Sequence, residues 1–225
     1  MKLSKSTLVV LKNFASINDG IVFRSGNLLR TCDAQKQVLA EATIEETIPS
    51  EFGIHDLNKF LSVLSLYGDN PNIELAENNK SAYLMTSRRK TDYRLCDASM
   101  VKNAPEKSIT MPSVDVSFTL SQEDLESTLK ASSVLGTPHI AINSDGSKVY
   151  VSVLDSKDNS THTSKLELCD GKGTKYNMLF RTENLKMIPG EYEVSISFKG
   201  IANFKNKNSP IQYWVATELG SSGEA

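Results

Sequence analysis

Ser4-Lys5-Ser6-Thr7-Leu8-Val9-Val10-Leu11-Lys12-Asn13-Phe14-Ala15-Ser16-Ile17-Asn18-Asp19-Gly20 opens the chain and decides how the rest is read. Ser4 is a good N-cap, because its hydroxyl can accept from the free N–H groups of a first helical turn. Leu8, Leu11, Phe14, Ala15 and Ile17 then recur at helical spacing. Lys5, Lys12 and Ser16 fall together on the opposite face, spaced i, i+7 and i+11. Asn18-Asp19-Gly20 turns the chain out of the helix. An amphipathic helix with a basic outer face is followed by short apolar or alternating segments.

Three more helical patterns follow. Asp56 caps a second helix running to about Tyr67, with Leu57, Phe60, Leu61 and Leu64 as its apolar stripe. Asn58, Lys59, Ser62 and Ser65 form its polar face, and Gly68-Asp69-Asn70-Pro71 stops it. Ser121-Gln122-Glu123-Asp124 opens a third, with Leu125, Leu129 and Val134 as its stripe and Gly136 as its C-cap. Thr182 caps a short fourth helix over Glu183 to Ile188, which Pro189-Gly190 breaks. Strands are expected over 20–23, 37–44, 73–75, 82–85 and 93–96, then 115–120, 139–143, 148–154, 165–169, 176–180, 192–198 and 211–217. Asn143 to Gly146 and Asp170 to Gly173 read as hairpin turns.

The order helix, strands, helix, strands therefore occurs twice. It predicts an α+β chain of two similar domains, each with two helices on an antiparallel sheet. Residues 1–102 hold the first and 114–219 the second. Residues 103–113, with Pro105 and Pro112, suit an extended connector, and 220–225 read as a flexible tail.

The chain has 225 residues with 25 Lys plus Arg, 27 Asp plus Glu and a net charge of -2. With 39% hydrophobic residues it is too apolar for a disordered chain, and it lacks a collagen repeat. A net charge near zero argues against a polycation that coats nucleic acid. Charge is unevenly placed: residues 1–110 have 14 basic and 13 acidic side chains, and residues 111–225 have 11 and 14. Cys32, Cys96 and Cys169 are far apart and odd in number, which fits neither a disulfide framework nor a zinc site. The apolar run Leu8 to Leu11 is too short for a signal peptide, and no window approaches a membrane span.

The search for catalytic chemistry is negative. His55, His139 and His162 do not form a metal-binding spacing, and no G-x-S-x-G occurs. Gly171-Lys172-Gly173-Thr174 lacks the spacing of a phosphate loop and reads as a turn. Glu45-Glu46 is the only adjacent Glu pair and reads as a solvated loop beside Pro49. No catalytic residue, metal or cofactor is expected.

Four blocks of residues resemble the sliding clamps of T-even-like bacteriophages. They are Met1-Lys2-Leu3-Ser4-Lys5 with Leu11-Lys12-Asn13-Phe14-Ala15 and Ile17-Asn18, and Asp56-Leu57-Asn58 with Phe60-Leu61 and Leu64-Ser65-Leu66. Asn184-Leu185-Lys186-Met187 with Pro189-Gly190 and Tyr192, and Tyr213 with Val215-Ala216, complete the match. The resemblance covers essentially the whole chain and is poorest from about 70 to 120. It implies the DNA-clamp fold and a head-to-tail homotrimer closed into a ring. That ring encircles duplex DNA after an ATP-dependent clamp loader places it there. It then tethers the phage DNA polymerase and also supports late transcription factors, in the cytoplasm of the infected bacterial host, with no membrane partner.

Carried over by position, Lys5, Lys12, Lys59, Lys130 and Lys186 are the candidates to face DNA. Glu123, Asp124 and Glu126 outnumber Lys130 on the third helix, a departure from the expected pattern. Ile109, Met111 and Pro112 with Pro189, Tyr213 and Val215 are the candidates for a partner-peptide pocket. Tyr93 and Leu95 with Leu166 and Leu168 are the candidates for the subunit seam. Two other readings stay open: an oligomeric phage structural or assembly module that ignores DNA, and a small nuclease.

Overall fold

The computed structural model describes residues 1–68, 71–77, 79–107, 109–223. The chain divides into two compact units, Met1–Lys107 and Ser108–Ala225. Among the described residues, no helix is long and apolar enough to cross a membrane.

The first unit holds α1 (Lys5–Phe14), β1 (Ile21–Phe23), β2 (Gly26–Cys32), β3 (Val38–Ile48) and β4 (Phe52–Ile54). It continues with α2 (Leu57–Ser65), β5 (Asn72–Leu75), β6 (Ser81–Met85) and β7 (Lys90–Arg94). All its pairings are antiparallel: β1 with β4, β2 with β3, and β5-β6-β7 in that order. Met1 closes the outer edge of β5, its amino group donating to Ile73 O and its carbonyl accepting from Ile73 N. Among the described residues, the edge of β7 away from β6 carries no further strand.

Helix α1 starts at Ser4, whose hydroxyl accepts from Thr7 N–H, as the sequence indicates. Asp56 caps α2 in the same way through Lys59 N–H. α2 ends at Ser65, two residues earlier than expected; of the expected stop, Asp69 and Asn70 lie outside the described residues. The core of this unit is Leu11, Phe14, Phe23, Ile54, Leu57 and Phe60, all buried, with Phe23 and Phe52 stacked at 4.8 Å.

The second unit holds β8 (Val116–Leu120), α3 (Gln122–Leu135), β9 (His139–Asp145), β10 (Lys148–Leu154), β11 (Ser164–Asp170) and β12 (Lys175–Arg181). After a 3-10 turn at Thr182–Leu185 come β13 (Tyr192–Ser197), β14 (Ile201–Asn206), β15 (Ile211–Ala216) and β16 (Ser222–Gly223). One antiparallel sheet runs β11-β10-β9-β12-β16, and β15-β14-β13-β8 pair in a second. Ser121 caps α3 and Gly136 ends it at φ 66°, a left-handed position that suits glycine.

Several expectations need correction. The fourth helix is only the 3-10 turn, with no side-chain cap; Met187 N–H turns back to Leu185 O and Pro189 follows at once. Val134 is 75% exposed rather than part of the α3 stripe, which runs Leu125, Thr128 and Ser132 at i, i+3 and i+7. Ser132 tolerates burial because its hydroxyl donates to Thr137 O at 2.7 Å. β2 and β4 were not anticipated, since their apolar residues do not alternate with polar ones; β14 was also missed, although Ala202, Asn203, Phe204 and Lys205 do alternate. Ser222 and Gly223 pair with Asn177 and Tyr176, so this part of the tail is strand rather than a flexible end.

The Asn143 to Gly146 turn is shifted: β9 continues through Asp145 before pairing back with β10. Asp170 to Gly173 is no hairpin turn, because β11 and β12 are separated in the sheet by β10 and β9. The segment crosses the end of the β9–β10 hairpin. Gly171 N–H donates to Ser147 O at 2.6 Å and Gly173 N–H to Gly146 O at 2.9 Å. A Cβ at Gly171 would lie 2.6 Å from Gly146 O, so the crossing requires glycine there. Gly171→Ala should therefore cost about 1–3 kcal/mol by forcing the two backbones apart. Denaturant unfolding measures this, and an unchanged midpoint would show that the crossing yields without cost.

Candidate functional site

Helix α1 buries Thr7, Leu11 and Phe14, which leaves Lys5 and Lys12 exposed on the far side. Lys12 sits in the last turn, where a cation is favourable to the helix dipole. Helix α2 buries Leu57, Phe60 and Leu64 and exposes Lys59 with Asn58, Ser62 and Ser65. These three lysines belong to one unit, on helices that touch each other. Lys130 is exposed on α3, and Lys186 is exposed directly after the 3-10 turn. Acidic Glu123 and Asp124 occupy the first turn of α3, where they complement its N-terminus, and Glu126 accepts from Gln122.

The orientation of α1 depends on a pair that the sequence reading took for a solvated loop. Glu45 and Glu46 lie in β3, and both reach the start of α1. Glu45 accepts from Ser6 Oγ at 2.5 Å. Glu46 accepts from Thr7 Oγ1 at 2.6 Å and from Ser4 N–H. Partial burial pushes the Glu46 carboxyl up, but the hydrogen bonds from Thr7 and Ser4 outweigh it and hold the pKa below the ordinary 4.5. No local pattern could have shown this, because the partners are 39–42 residues apart.

The seam candidates lie on or beside free sheet edges. Tyr93 is half-buried on β7, its ring edge-on to Phe60 at 5.1 Å and its hydroxyl donating to Asp56 O at 3.1 Å. Leu95 follows β7 and is half-buried. Leu166 and Leu168 are half-buried on β11, the outermost strand of its sheet.

The pocket candidates separate into surface and core. Ile109 and Met111 are half-buried, and Pro112 and Pro189 are exposed. Tyr213 and Val215 are 1% and 0% exposed, so they offer no surface to a partner as expected of pocket walls. Tyr213 instead holds the Pro189 loop. Its hydroxyl accepts from Ile188 N–H at 3.2 Å, while Tyr192 donates to Ile188 O at 2.5 Å. Burial raises both phenols, Tyr192 to about 12, so both stay neutral at any ordinary pH. Tyr192 is thus a positioning residue that sequence reasoning did not assign.

Among the described residues, no three His, Cys, Asp or Glu side chains gather where they could hold a metal ion. All three cysteines are free.

Helices laid on antiparallel sheets, repeated in two units, define the DNA-clamp fold. Solved structures agree. Proliferating cellular nuclear antigen from Entamoeba histolytica superposes with a TM-score of 0.69 at 17% identity, covering 97% of this chain and 98% of that one. The A. fulgidus homologue, solved with the C-terminal region of FEN-1 bound to it, gives 0.72 at 12% identity, covering 99% and 100%.

Residues 2–101 match the family described as DNA polymerase processivity factor, and residues 117–219 match the C-terminal domain of the gp45 sliding clamp. The sliding clamp of Vibrio phage KVP40 is 34% identical over 97% of this chain and 99% of its own length. That of Enterobacteria phage T4 is 34% identical over 99% of both chains. The chain belongs to the phage sliding-clamp family of polymerase processivity factors.

The β3 anchor makes a testable demand. Glu46→Ala should destabilise the protein by about 1–2 kcal/mol, a discounted value for a half-exposed charged acceptor. The folded pKa is depressed, so the contribution is full above the ordinary 4.5 and is lost as the pH falls through the lowered value. The gap between wild-type and variant melting temperatures should therefore narrow in acid. A gap that persists unchanged there would assign the loss to packing rather than to the carboxylate.

Proposed function

We propose that three copies of this chain close head to tail into a ring that encircles duplex DNA and tethers the phage DNA polymerase for processive synthesis. The observation that carries this reading is the similarity to phage sliding clamps along nearly the whole length of the chain. The protein acts without catalysis of its own, by topological linkage, in the cytoplasm of the infected bacterial host. An ATP-dependent loader opens and closes the ring, and late transcription factors share the clamp with the polymerase.

The seam forms where β7 of one copy meets β11 of the next. Each is the last strand of its sheet and carries half-buried apolar side chains, Tyr93 on one and Leu166 and Leu168 on the other. Leu66 at the end of α2 and Val134 near the end of α3 are 60% and 75% exposed and would gain cover from a neighbouring copy. Pairing two different edges is heterologous, so it builds a ring when the rotation closes.

Lys5, Lys12, Lys59, Lys130 and Lys186 face the duplex in this reading. Flexible exposed lysines suit a sliding contact. Each phosphate neutralised steepens the salt dependence by about 0.9 in the log–log slope, and a linked ring needs few such contacts. Ile109, Met111 and Pro112, with Pro189 held in place by Tyr192 and Tyr213, form the surface for partner peptides. Val215 supports it from the core.

Two measurements check this. With loader, ATP and the cognate polymerase, long-product synthesis should require the protein, and light scattering should give three times the 24.8 kDa chain mass. A monomer without stimulation sinks the reading. The double reversal Lys5→Glu with Lys12→Glu should shorten retention on DNA about tenfold or more while leaving the trimer intact. Loss of the trimer would place these lysines at the seam instead.

A further inference from the structure

The second unit contains a groove of about 500 Å³ whose long wall is β8 and the residues just before it. Val114, Asp115, Val116, Ser117, Phe118 and Thr119 all line it. A groove over one face of a strand would touch alternate residues. One touched by six consecutive residues runs along the strand's edge. That edge is the free one, because β8 pairs with β13 on its other side and ends its sheet. Six extended residues span about 17 Å, enough for a partner strand of five or six residues.

The opposite wall is Val149 on β10, Cys169 on β11, Tyr176 on β12 and the crossing segment with Lys172. Three features show that this edge is built to be filled. From Val116 to Leu120 the strand has no charge and no proline, unlike β7 and β11, whose Lys90, Arg94 and Lys165 guard them. Val116 and Phe118 are only half-buried on the face that elsewhere forms core. The hydroxyl of Tyr176, a residue 6% exposed, is buried in the groove wall with no hydrogen-bond partner.

The charges at the mouth are not equivalent. Asp115 is engaged by Phe198 N–H at 2.7 Å and by Ser113 at 2.9 Å. Asp170 is engaged by Lys148 at 2.8 Å. Lys172 is exposed, and among the described residues no ion pair engages it. The unspent groups are thus donors, an ammonium and a phenol, beside an unpaired strand edge and an apolar floor.

We propose that this groove is a docking site for an extended peptide strand of a partner protein, with apolar side chains facing Val116 and Phe118 and a carboxylate directed to Lys172. The strand adds to the free edge of β8 through main-chain hydrogen bonds. An acceptor on the peptide satisfies the Tyr176 hydroxyl. The site lies within one unit and does not depend on ring closure.

The test uses the full chain and a fluorescein-labelled peptide of alternating valine and threonine ending in two aspartates. Anisotropy should show saturable binding, and the peptide should slow iodoacetamide alkylation of Cys169 several-fold at alkaline pH. Cys96, half-buried in the first unit, serves as the reference thiol. The same peptide N-methylated at every amide should not bind. Lys172→Glu should weaken binding at least about fivefold. Tyr176→Phe should weaken binding without lowering the melting temperature, because its hydroxyl has no partner to lose in the free protein. Light scattering on the same samples reports the oligomer, so a failed ring and an empty groove give different results. Absence of saturable binding, equal binding of the N-methylated peptide, or no effect of either variant overturns the proposal. So does protection of Cys169 that rises with protein concentration alone, which would make the occupant a second copy.

Discussion

Backbone N–H and C=O groups along a sheet edge must be paired or solvated, and the proposed assembly and docking surfaces both depend on how this chain treats its edges. Met1 closes the outside of β5 with two hydrogen bonds to Ile73. β7 and β11 remain open and carry charged guards beside half-buried apolar residues. Guards of this kind discourage random pairing and still allow one matched partner. Among the described residues β8 also remains open, and from Val116 to Leu120 it carries no charge. Its alternatives are a groove that admits only a narrow strand, or aggregation. The walls supplied by β10, β11 and β12 restrict access to it.

Charge placement follows a different logic from total charge. A net of -2 argues against a protein that holds nucleic acid by bulk attraction. A ring gains nothing from such a grip, since each tight phosphate contact would slow sliding. What it requires is a positive face on its helices and an otherwise ordinary surface. Helices α1 and α2 would meet this in the proposed ring with Lys5, Lys12 and Lys59, whereas α3 carries Glu123, Asp124 and Glu126 against Lys130. In the proposed ring, the first unit supplies the stronger attraction, and the second keeps the sum low enough for movement.

The parts of the fold legible in the sequence are those fixed within a few residues. Ser4, Asp56 and Ser121 cap their helices through bonds to N–H groups three positions on, so each helix start could be read directly. Gly136 ends α3 for an equally local reason. Contacts between distant residues were not legible. Glu45-Glu46 looks like a solvated pair until β3 is seen to carry it under the start of α1. Asp170 to Gly173 has the composition of a tight turn, and only the sheet order shows that it crosses two strands. The same division applies to the candidate site. Exposure of the helix lysines follows from helical phase. That Tyr213 and Val215 are both buried could not follow from their place in a strand, where both faces of β15 hold buried residues.

The loss of a full fourth helix has its own physical compensation. A helix of several turns would satisfy its backbone internally, but the 3-10 turn at Thr182–Leu185 stops before Pro189 and leaves Ile188 without a helical partner for either polar group. Tyr213 and Tyr192 supply one bond each, from hydroxyls buried on β15 and β13. Behind the loop, the side chain of Asn206 lies where a Cβ on Gly190 would have to go. A segment that would otherwise be free is therefore held at its backbone, while Lys186 and Pro189 remain exposed on either side of the pinned residue. Short length gives the chain little cooperative helix stability there, but side-chain clamps give it a fixed shape. A fixed loop loses less entropy than a mobile one when DNA or a peptide meets it.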